Sequence, residues 1–436
     1  MINLILSEGT FKTIFENDTE SEDKRLIEEI LDLTDILKDS DKYLTASREK
    51  FRFKHHVGVL QTRNYRILVL PKIWKEEGQD TNYANRNLIK LFLYAFSNPR
   101  FSDPEIDITT ERSNLDLFEL IIRLYATRLE DQLSMGVYRE YNRIAEESRY
   151  LRGKLNLMKQ LNRIDQSKFS INDFRFSVDN DLNRFFVYAT EIFTNMTRDT
   201  RNAEILSSIQ TLLDPKEVSY AMPSSINFNR MNERFQIPYT YAKLVLDRLL
   251  PLSGNGKRSM IMLFDMNLVF EAFFARFVAR NSDTIFKGMQ LEDISVQSSK
   301  QNFIYRENGK PVRYTKPDVK ISTMDTTFIF DTKYKNLTDP EIIEAEDNDM
   351  EEVSQVDSRD LYQMFTYSEI YNSKGTVLVF PGPCNKLSKP YRFTKHSGLL
   401  WVCMIHMDLN KDGWEGKLAD DFRNFFETVK NTDYLR

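Results

Sequence analysis

Within KPDVKISTMDTTFIFDTKYK, Lys316 to Lys335, stand two aspartates and a lysine whose spacing could do chemistry: Asp318, Asp331 and Lys333. VKIS and FIFDTKY read as strands and TMDTT as the turn between them, so the simplest arrangement is an antiparallel hairpin. A hairpin centred between Met324 and Asp325 sets Asp318 directly opposite Asp331 and puts Lys333 on the same strand face as Asp331. Like charges in direct opposition destabilise a sheet, and a hard divalent cation between them relieves the repulsion. Such a cation polarises a phosphodiester and acidifies water, while a neighbouring ammonium stabilises developing negative charge. The competing reading is a surface hairpin whose polar face carries two acids and a lysine.

Other elements must hold that cluster. DMNLVFEAFFARFVAR, Asp265 to Arg280, reads as a helix capped by Asp265. At roughly 100° per residue, Leu268, Phe274, Ala275 and Val278 lie within about 60° of Glu271, with Arg276 and Arg280 on the far side. A glutamate on that apolar face needs a proton, a hydrogen bond or a metal; a place at the edge of a wide apolar stripe is the other reading. Downstream, DLYQMFTYSEIY, Asp360 to Tyr371, places Gln363 and Tyr367 on one face of a helix.

The order helix glutamate, hairpin Asp, Asp-x-Lys, Gln-x-x-x-Tyr resembles the PD-(D/E)xK nuclease superfamily in its RecB-like form. Pro317-Asp318 stands as the PD and Asp331-Thr332-Lys333 as the DxK. With HVGVLQTRNYRILVLPKIW, YLRGKLNL, NRFFVYA and LFDMNLVFEAFFARFVAR added, most of the chain is similar to the McrC family, nuclease subunits of McrBC-type and related LlaJI-like restriction systems. The resemblance implies an α+β multidomain chain ending in a restriction-endonuclease-like α/β domain that cuts DNA. It implies Mg²⁺, which Mn²⁺ can replace, held by Asp318, Asp331 and the Thr332 backbone carbonyl, with Glu271 as a direct or outer-sphere ligand. Lys333 would orient the attacking water or stabilise charge, and Gln363 and Tyr367 would brace the site or touch the DNA backbone. It implies a partner too, a hexameric McrB-like AAA+ GTPase that recognises double-stranded DNA, by modified cytosine or at a fixed site, and that this chain caps and stimulates. A non-catalytic activator of such a ring, keeping the nuclease fold as a scaffold, is the alternative; the presence of Asp318, Asp331 and Lys333 together favours the nuclease.

Composition narrows the field. A chain of 436 residues, 41% hydrophobic with 31 Phe, has material for two or three buried cores. Its net charge of −5 does not advertise nucleic acid, so any basic surface is local. Cys384 and Cys403 with His55, His56, His396 and His406 are too few for a zinc cluster or a disulfide framework, and His-centred hydrolysis is disfavoured. MINLILSEGTF has no basic region followed by a long apolar one, and no apolar run reaches membrane-spanning length, so a cytoplasmic protein is expected. PLSGNGKRS fails as a phosphate loop: Pro251 stands where the first glycine belongs and Arg258 follows Lys257. This chain is therefore expected to bind no nucleotide itself.

By texture the chain divides into residues 1–128, a mixed α+β module that would bind the partner; 129–252, mainly helical; and 253–436, the nuclease domain. The first segment contains none of the cluster residues, so a chain starting near Asn255 is expected to keep the metal site. DPEIIEAEDNDMEE, Asp339 to Glu352, carries eight acids and no base, either a solvated loop or a lid that repels DNA until a partner moves it. KQNFIYRENGKPVRYTK, Lys300 to Lys316, interleaves bases with aromatics around Asn308-Gly309, either an ordinary exposed hairpin or one that tracks phosphates.

Overall fold

A computed structural model describes residues 2–13, 21–36, 40–74, 81–96, 117–151, 153–162, 167–214, 218, 226–247, 249–251, 258–296, 300–324, 326–335, 337, 352–393 and 398–431. Asp325, residues 254–257 of the rejected phosphate loop and all but the last residue of the acidic stretch 339–352 lie outside them. The chain forms two compact units, Met1–Asn114 joined with Leu263–Arg436, and Leu115–Met262. The sequence reading cut it into three consecutive segments, whereas these units join the two ends of the chain.

In the first unit, β1 (Ile2–Ser7), β2 (His56–Gln61) and β3 (Tyr65–Leu70) pair with β3 in the middle, parallel to β1 and antiparallel to β2. The polar turn Thr62 to Asn64 lies between β2 and β3. Helix α1 (Thr81–Phe96) follows. This part does not stand apart from the C-terminal half. Trp74 Nε1 donates to the Met407 carbonyl at 2.8 Å, Leu409 N–H donates to Asn87 Oδ1 at 2.8 Å, and the Phe92 ring meets Phe264 at 4.8 Å. A C-terminal half that keeps its packing without residues 1–114 is therefore not what these contacts describe.

The C-terminal half opens with α2 (Met266–Arg280), capped by Asp265, whose carboxylate accepts the Asn267 N–H. Then come β4 (Leu291–Val296), β5 (Gln301–Tyr305), β6 (Pro311–Thr315), β7 (Val319–Thr323) and β8 (Thr327–Thr332). Helix α3 (Ser358–Ile370), β9 (Gly375–Gly382), β10 (Leu399–His406) and α4 (Trp414–Asn431) complete it. Strands in the order β4-β7-β8-β9-β10, with two short strands along β10, make a seven-stranded sheet, parallel at β8-β9 and β9-β10. The near-continuous apolar runs of β9 and β10 match a sheet covered on both faces. On one face Phe274 of α2 and Phe422 and Phe426 of α4 pack around Phe330 and each other. On the other, Met364 and Tyr367 of α3, with Tyr371 just past its end, pack with Ile329, Leu378 and Val402.

The second unit holds helices Leu117–Ser134, Asp181–Met196, Thr200–Leu212 and Gln236–Leu246. Fully buried Tyr125 sits in its core, its hydroxyl 2.7 Å from Thr190 Oγ1. The sequence reading missed an antiparallel ribbon there, Glu140–Ser148 paired with Phe169–Ser177. EYNRIAEES has few apolar residues, so the alternation that signals a half-buried strand is too weak to see.

Candidate functional site

Hairpin register builds the site. Val319 faces Phe330, Lys320 faces Ile329, Ile321 faces Phe328 and Ser322 faces Thr327. One more step along that ladder sets Asp318 against Asp331, as the spacing predicted. Alternation along β8 sends Phe328 and Phe330 to the α2/α4 side and Ile329 and Asp331 to the α3 side. The same parity that fills the core thus aims Asp331 at α3.

Each carboxylate is held differently. Asp318 Oδ2 accepts the backbone N–H and the hydroxyl of Thr332, each at 2.7 Å, so the residue between Asp331 and Lys333 fixes the acid across the ladder. Asp331 is 2% exposed. Its Oδ1 accepts a long 3.4 Å hydrogen bond from Gln363 Nε2, and its Oδ2 lies 2.7 Å from Lys333 Nζ. That contact is a charge-assisted ion pair between the buried carboxylate and the ammonium.

Lys333 Nζ donates to Gln363 Oε1 at 2.9 Å, and Gln363 Nε2 donates to Tyr367 Oη at 2.7 Å. Tyr367 in turn donates to the Lys316 carbonyl at 3.2 Å, closing a path from α3 back to the hairpin. Gln363 and Tyr367 therefore meet the acid pair as the i, i+4 spacing suggested. Burial pushes the Asp331 carboxyl up to about 7, and the Asp318 charge pushes the same way, against the pull of Lys333. Burial works against a charged Lys333, but Asp331, Asp360 and Asp318 outweigh it and hold its pKa above the usual lysine range. Burial, then the Asp331 charge, raises the Tyr367 hydroxyl as well, so it stays protonated and donates.

Glu271 takes the second of its two sequence readings, a place at the edge of a wide apolar stripe that includes Phe274, Ala275 and Val278. The buried stripe of α2 runs through Met266, Val269, Phe270, Phe273, Phe274, Phe277 and Val278. Leu268, grouped with Glu271 from the sequence, is 60% exposed, and Glu271 is half-buried at the border of the stripe. The groups that chiefly set the charge of Asp331 are Asp318, Lys333 and Asp360.

Two contributors escaped the sequence reading. Asp360, in the first turn of α3, lies 3.6 Å from Lys333 Nζ and accepts from Lys335 Nζ at 2.8 Å. The signal for it was its position three residues before Gln363, on the same helical face. Glu8, just past β1, accepts from the Tyr334 hydroxyl at 2.6 Å, beside Lys333. Nothing local marks a pairing across that span of chain.

The donor set fits a hard divalent cation. Two carboxylates brought together across the hairpin, Asp318 and the buried Asp331, offer the oxygen ligands Mg²⁺ prefers. Among the described residues no cluster of three or more His, Cys, Asp or Glu could hold a metal.

A family model described as McrBC 5-methylcytosine restriction system component matches residues 51–381. Among solved structures, one of a half-complex from a tetradecameric assembly of Thermococcus gammatolerans McrB AAA+ hexamers with bound McrC contains a chain with a TM-score of 0.65 and 20% identity. That match covers 98% of this chain and 100% of the other. A cryo-EM structure of the Thermococcus gammatolerans McrBC complex gives a TM-score of 0.47 at 22% identity, covering 64% of this chain and 88% of the other. No curated protein matches the chain. Among the described residues no helix is long and apolar enough to cross a membrane.

Proposed function

The chain belongs to the family of McrBC 5-methylcytosine restriction system components, and from that premise we propose that it is the Mg²⁺-dependent DNA endonuclease subunit of such a system, with a PD-(D/E)xK site. The observation that carries the reading is the acid pair: the hairpin register, continued one step past Val319–Phe330, sets Asp318 against Asp331, Asp318 bonds Thr332, and Lys333 lies 2.7 Å from the buried oxygen of Asp331. A bound Mg²⁺ supplies Lewis-acid polarisation of the scissile phosphate and lowers the pKa of water. The two aspartates, with the Thr332 carbonyl, would hold it.

The chain's own residues prepare the rest. Thr332 keeps Asp318 aimed across the ladder. Gln363 holds Lys333 by its carbonyl and Asp331 by its amide, so ammonium and carboxylate share one rigid positioning residue. Lys333 stays charged among three acids, ready to stabilise negative charge as the P–O bond breaks. The Thermococcus gammatolerans assembly that contains the matching chain is one of McrB AAA+ hexamers with bound McrC. We assign this chain the same kind of partner, a McrB-like AAA+ GTPase that supplies recognition of modified cytosine and that this chain stimulates.

The test uses the full chain reconstituted with its AAA+ partner. Asp331→Asn and Lys333→Ala should each lower DNA cleavage by at least about a hundredfold, in line with losing a preorganised charge at the reacting phosphate. GTP turnover by the partner should stay at the wild-type level. Undiminished cleavage by either variant overturns the assignment. A wild-type complex that turns over GTP yet cuts nothing with Mg²⁺ or Mn²⁺ leaves the scaffold reading in its place.

A further inference from the structure

The β5–β6 hairpin has no role in the site so far described, and its surroundings are unusual. Its pairs run Gln301 to Thr315, Asn302 to Tyr314, Ile304 to Arg313 and Tyr305 to Pro311, with register shifts that twist the ribbon. At the tip, Gly309 N–H donates to the Arg306 carbonyl at 2.8 Å and Gly309 takes φ +76°, a four-residue turn ending in the left-handed glycine that a bulged hairpin needs. From Lys300 to Pro311–Tyr314 every residue is exposed, including Phe303, Ile304, Tyr305, Val312 and Tyr314. A lone two-stranded ribbon is marginal in water, and one with aromatics in solvent is waiting for a ligand.

Charge says which. The segment Lys300 to Lys316 holds five bases and one acid in a chain whose net charge is −5. Bases and rings are interleaved rather than segregated: Lys300 Nζ sits 4.9 Å from the Tyr314 ring centroid, and Tyr305 adjoins Arg306. Alternating cations and flat faces suit a sugar-phosphate backbone, with ammonium and guanidinium groups on phosphates and rings against sugars or bases.

Placement gives the ribbon its direction. Its base is tied to α3: the Thr315 hydroxyl lies 3.1 Å from the Tyr371 hydroxyl, Tyr371 donates to the Thr315 carbonyl at 3.2 Å, and Tyr367 donates to the Lys316 carbonyl. Tyr367 stands on the helix that carries Gln363 and Tyr371 caps its C-terminal end, and β6 runs through Lys316 and Pro317 straight into Asp318. A five-residue strand reaches about 17 Å, the rise of roughly five base pairs, and the DNA major groove admits a two-stranded ribbon.

We propose that the β5–β6 hairpin is a DNA-backbone clamp, rooted on α3, which grips double-stranded DNA beside the Asp318–Asp331 pair. It rests on the nuclease reading above for its purpose, and the experiment separates the two. Full-length chain is titrated into a fluorescein-labelled unmodified duplex in chelator-containing, metal-free buffer, with binding read by anisotropy. The variant replaces Arg306, Lys310 and Arg313 by serine, all exposed, and circular dichroism checks its fold.

The variant should bind the duplex at least about tenfold more weakly at about 50 mM salt, and its plot of log affinity against log salt should be shallower by about 2 to 3 for three lost phosphate contacts. Wild-type affinity and slope in the variant overturn the proposal, as does a wild-type chain that ignores duplex at low salt. A variant that binds duplex normally but no longer assembles with the AAA+ ring makes the hairpin a protein-docking element and overturns it too. Because no metal is present, cleavage is not involved; failure of the nuclease reading appears instead as undiminished cutting by Asp331→Asn.

Discussion

Replacing Glu8 by glutamine isolates a buried charge that the fold carries next to the site strand. Glu8 is 1% exposed, with Oε1 shared between the Tyr334 hydroxyl at 2.6 Å and the Lys72 N–H at 3.3 Å, and Oε2 without any hydrogen-bond partner. Burial pushes its carboxyl up to about 7 from 4.5, and the Asp265 charge adds to the rise; the Tyr334 and Lys72 contacts pull the other way without prevailing. A folded-state pKa above the unfolded one means that the folded chain keeps its proton longer. Stability from this group is therefore complete below about pH 4.5, falls as pH rises toward about 7, and is flat beyond.

A rise from 4.5 to about 7 at 1.36 kcal/mol per unit corresponds to about 3 kcal/mol over the whole window, of which about 2 to 3 falls between pH 5 and pH 8. Glutamine keeps the shape and the accepting oxygen but cannot ionise. The assay is urea unfolding of wild type and Glu8→Gln at pH 5 and pH 8, each analysed with its own slope. The loss of stability between the two pH values should be smaller in the variant by about 2 to 3 kcal/mol. Glutamine buries an amide with no acceptor and costs about 1 to 3 kcal/mol at both pH values, so the difference of differences is the readout. If the pH 5 to pH 8 loss is the same in both proteins, Glu8 is ionised in the fold throughout and the reasoning fails.

Thr332→Val should remove the hydroxyl bond to Asp318 while keeping the backbone one; Mg²⁺ affinity by calorimetry should weaken about 10- to 100-fold with the fold intact, and unchanged affinity would mean that the N–H alone orients Asp318. A chain starting near Asn255 should not unfold cooperatively in urea, because it strips Glu8 from Tyr334, Trp74 from Met407 and Phe92 from Phe264; a cooperative transition with retained Mg²⁺ binding would show that the C-terminal half stands alone.

The hairpin was legible because its information is local. Two strands and a short turn fix a register, and the register fixes which side chains meet, so the pairing of Asp318 with Asp331 could be worked out from spacing. Gln363 and Tyr367 were legible for a similar reason, since the i, i+4 rule needs only a helix. Glu271 was harder. The wheel gives relative angles, but which arc is covered depends on packing partners, and Phe270, Phe273 and Phe277 turned the stripe away from Leu268. Glu8 and the joining of residues 2–96 to the C-terminal half were not legible at all. The bonds Glu8 to Tyr334 and Asn87 to Leu409 span most of the chain, and no periodicity in either segment encodes the other.

Why the sheet tolerates an acid pair at its heart follows from the strand that carries it. Directly opposed like charges cost about 0.2 to 1 kcal/mol on an exposed ladder, and burial of Asp331 adds to that. Against this, β8 buries Phe328, Ile329 and Phe330 in succession, each contributing about 1.5 to 3 kcal/mol. Those three side chains face both sides of the sheet, so the strand cannot slip by one residue to relieve the carboxylates without turning its phenylalanines toward α3 and Ile329 toward α4. The apolar residues therefore set the register that holds Asp331 against Asp318. Lys333, two positions on, lands beside them by the same parity. A cation that settled between the carboxylates would remove the one unfavourable term in a strand otherwise locked by its core.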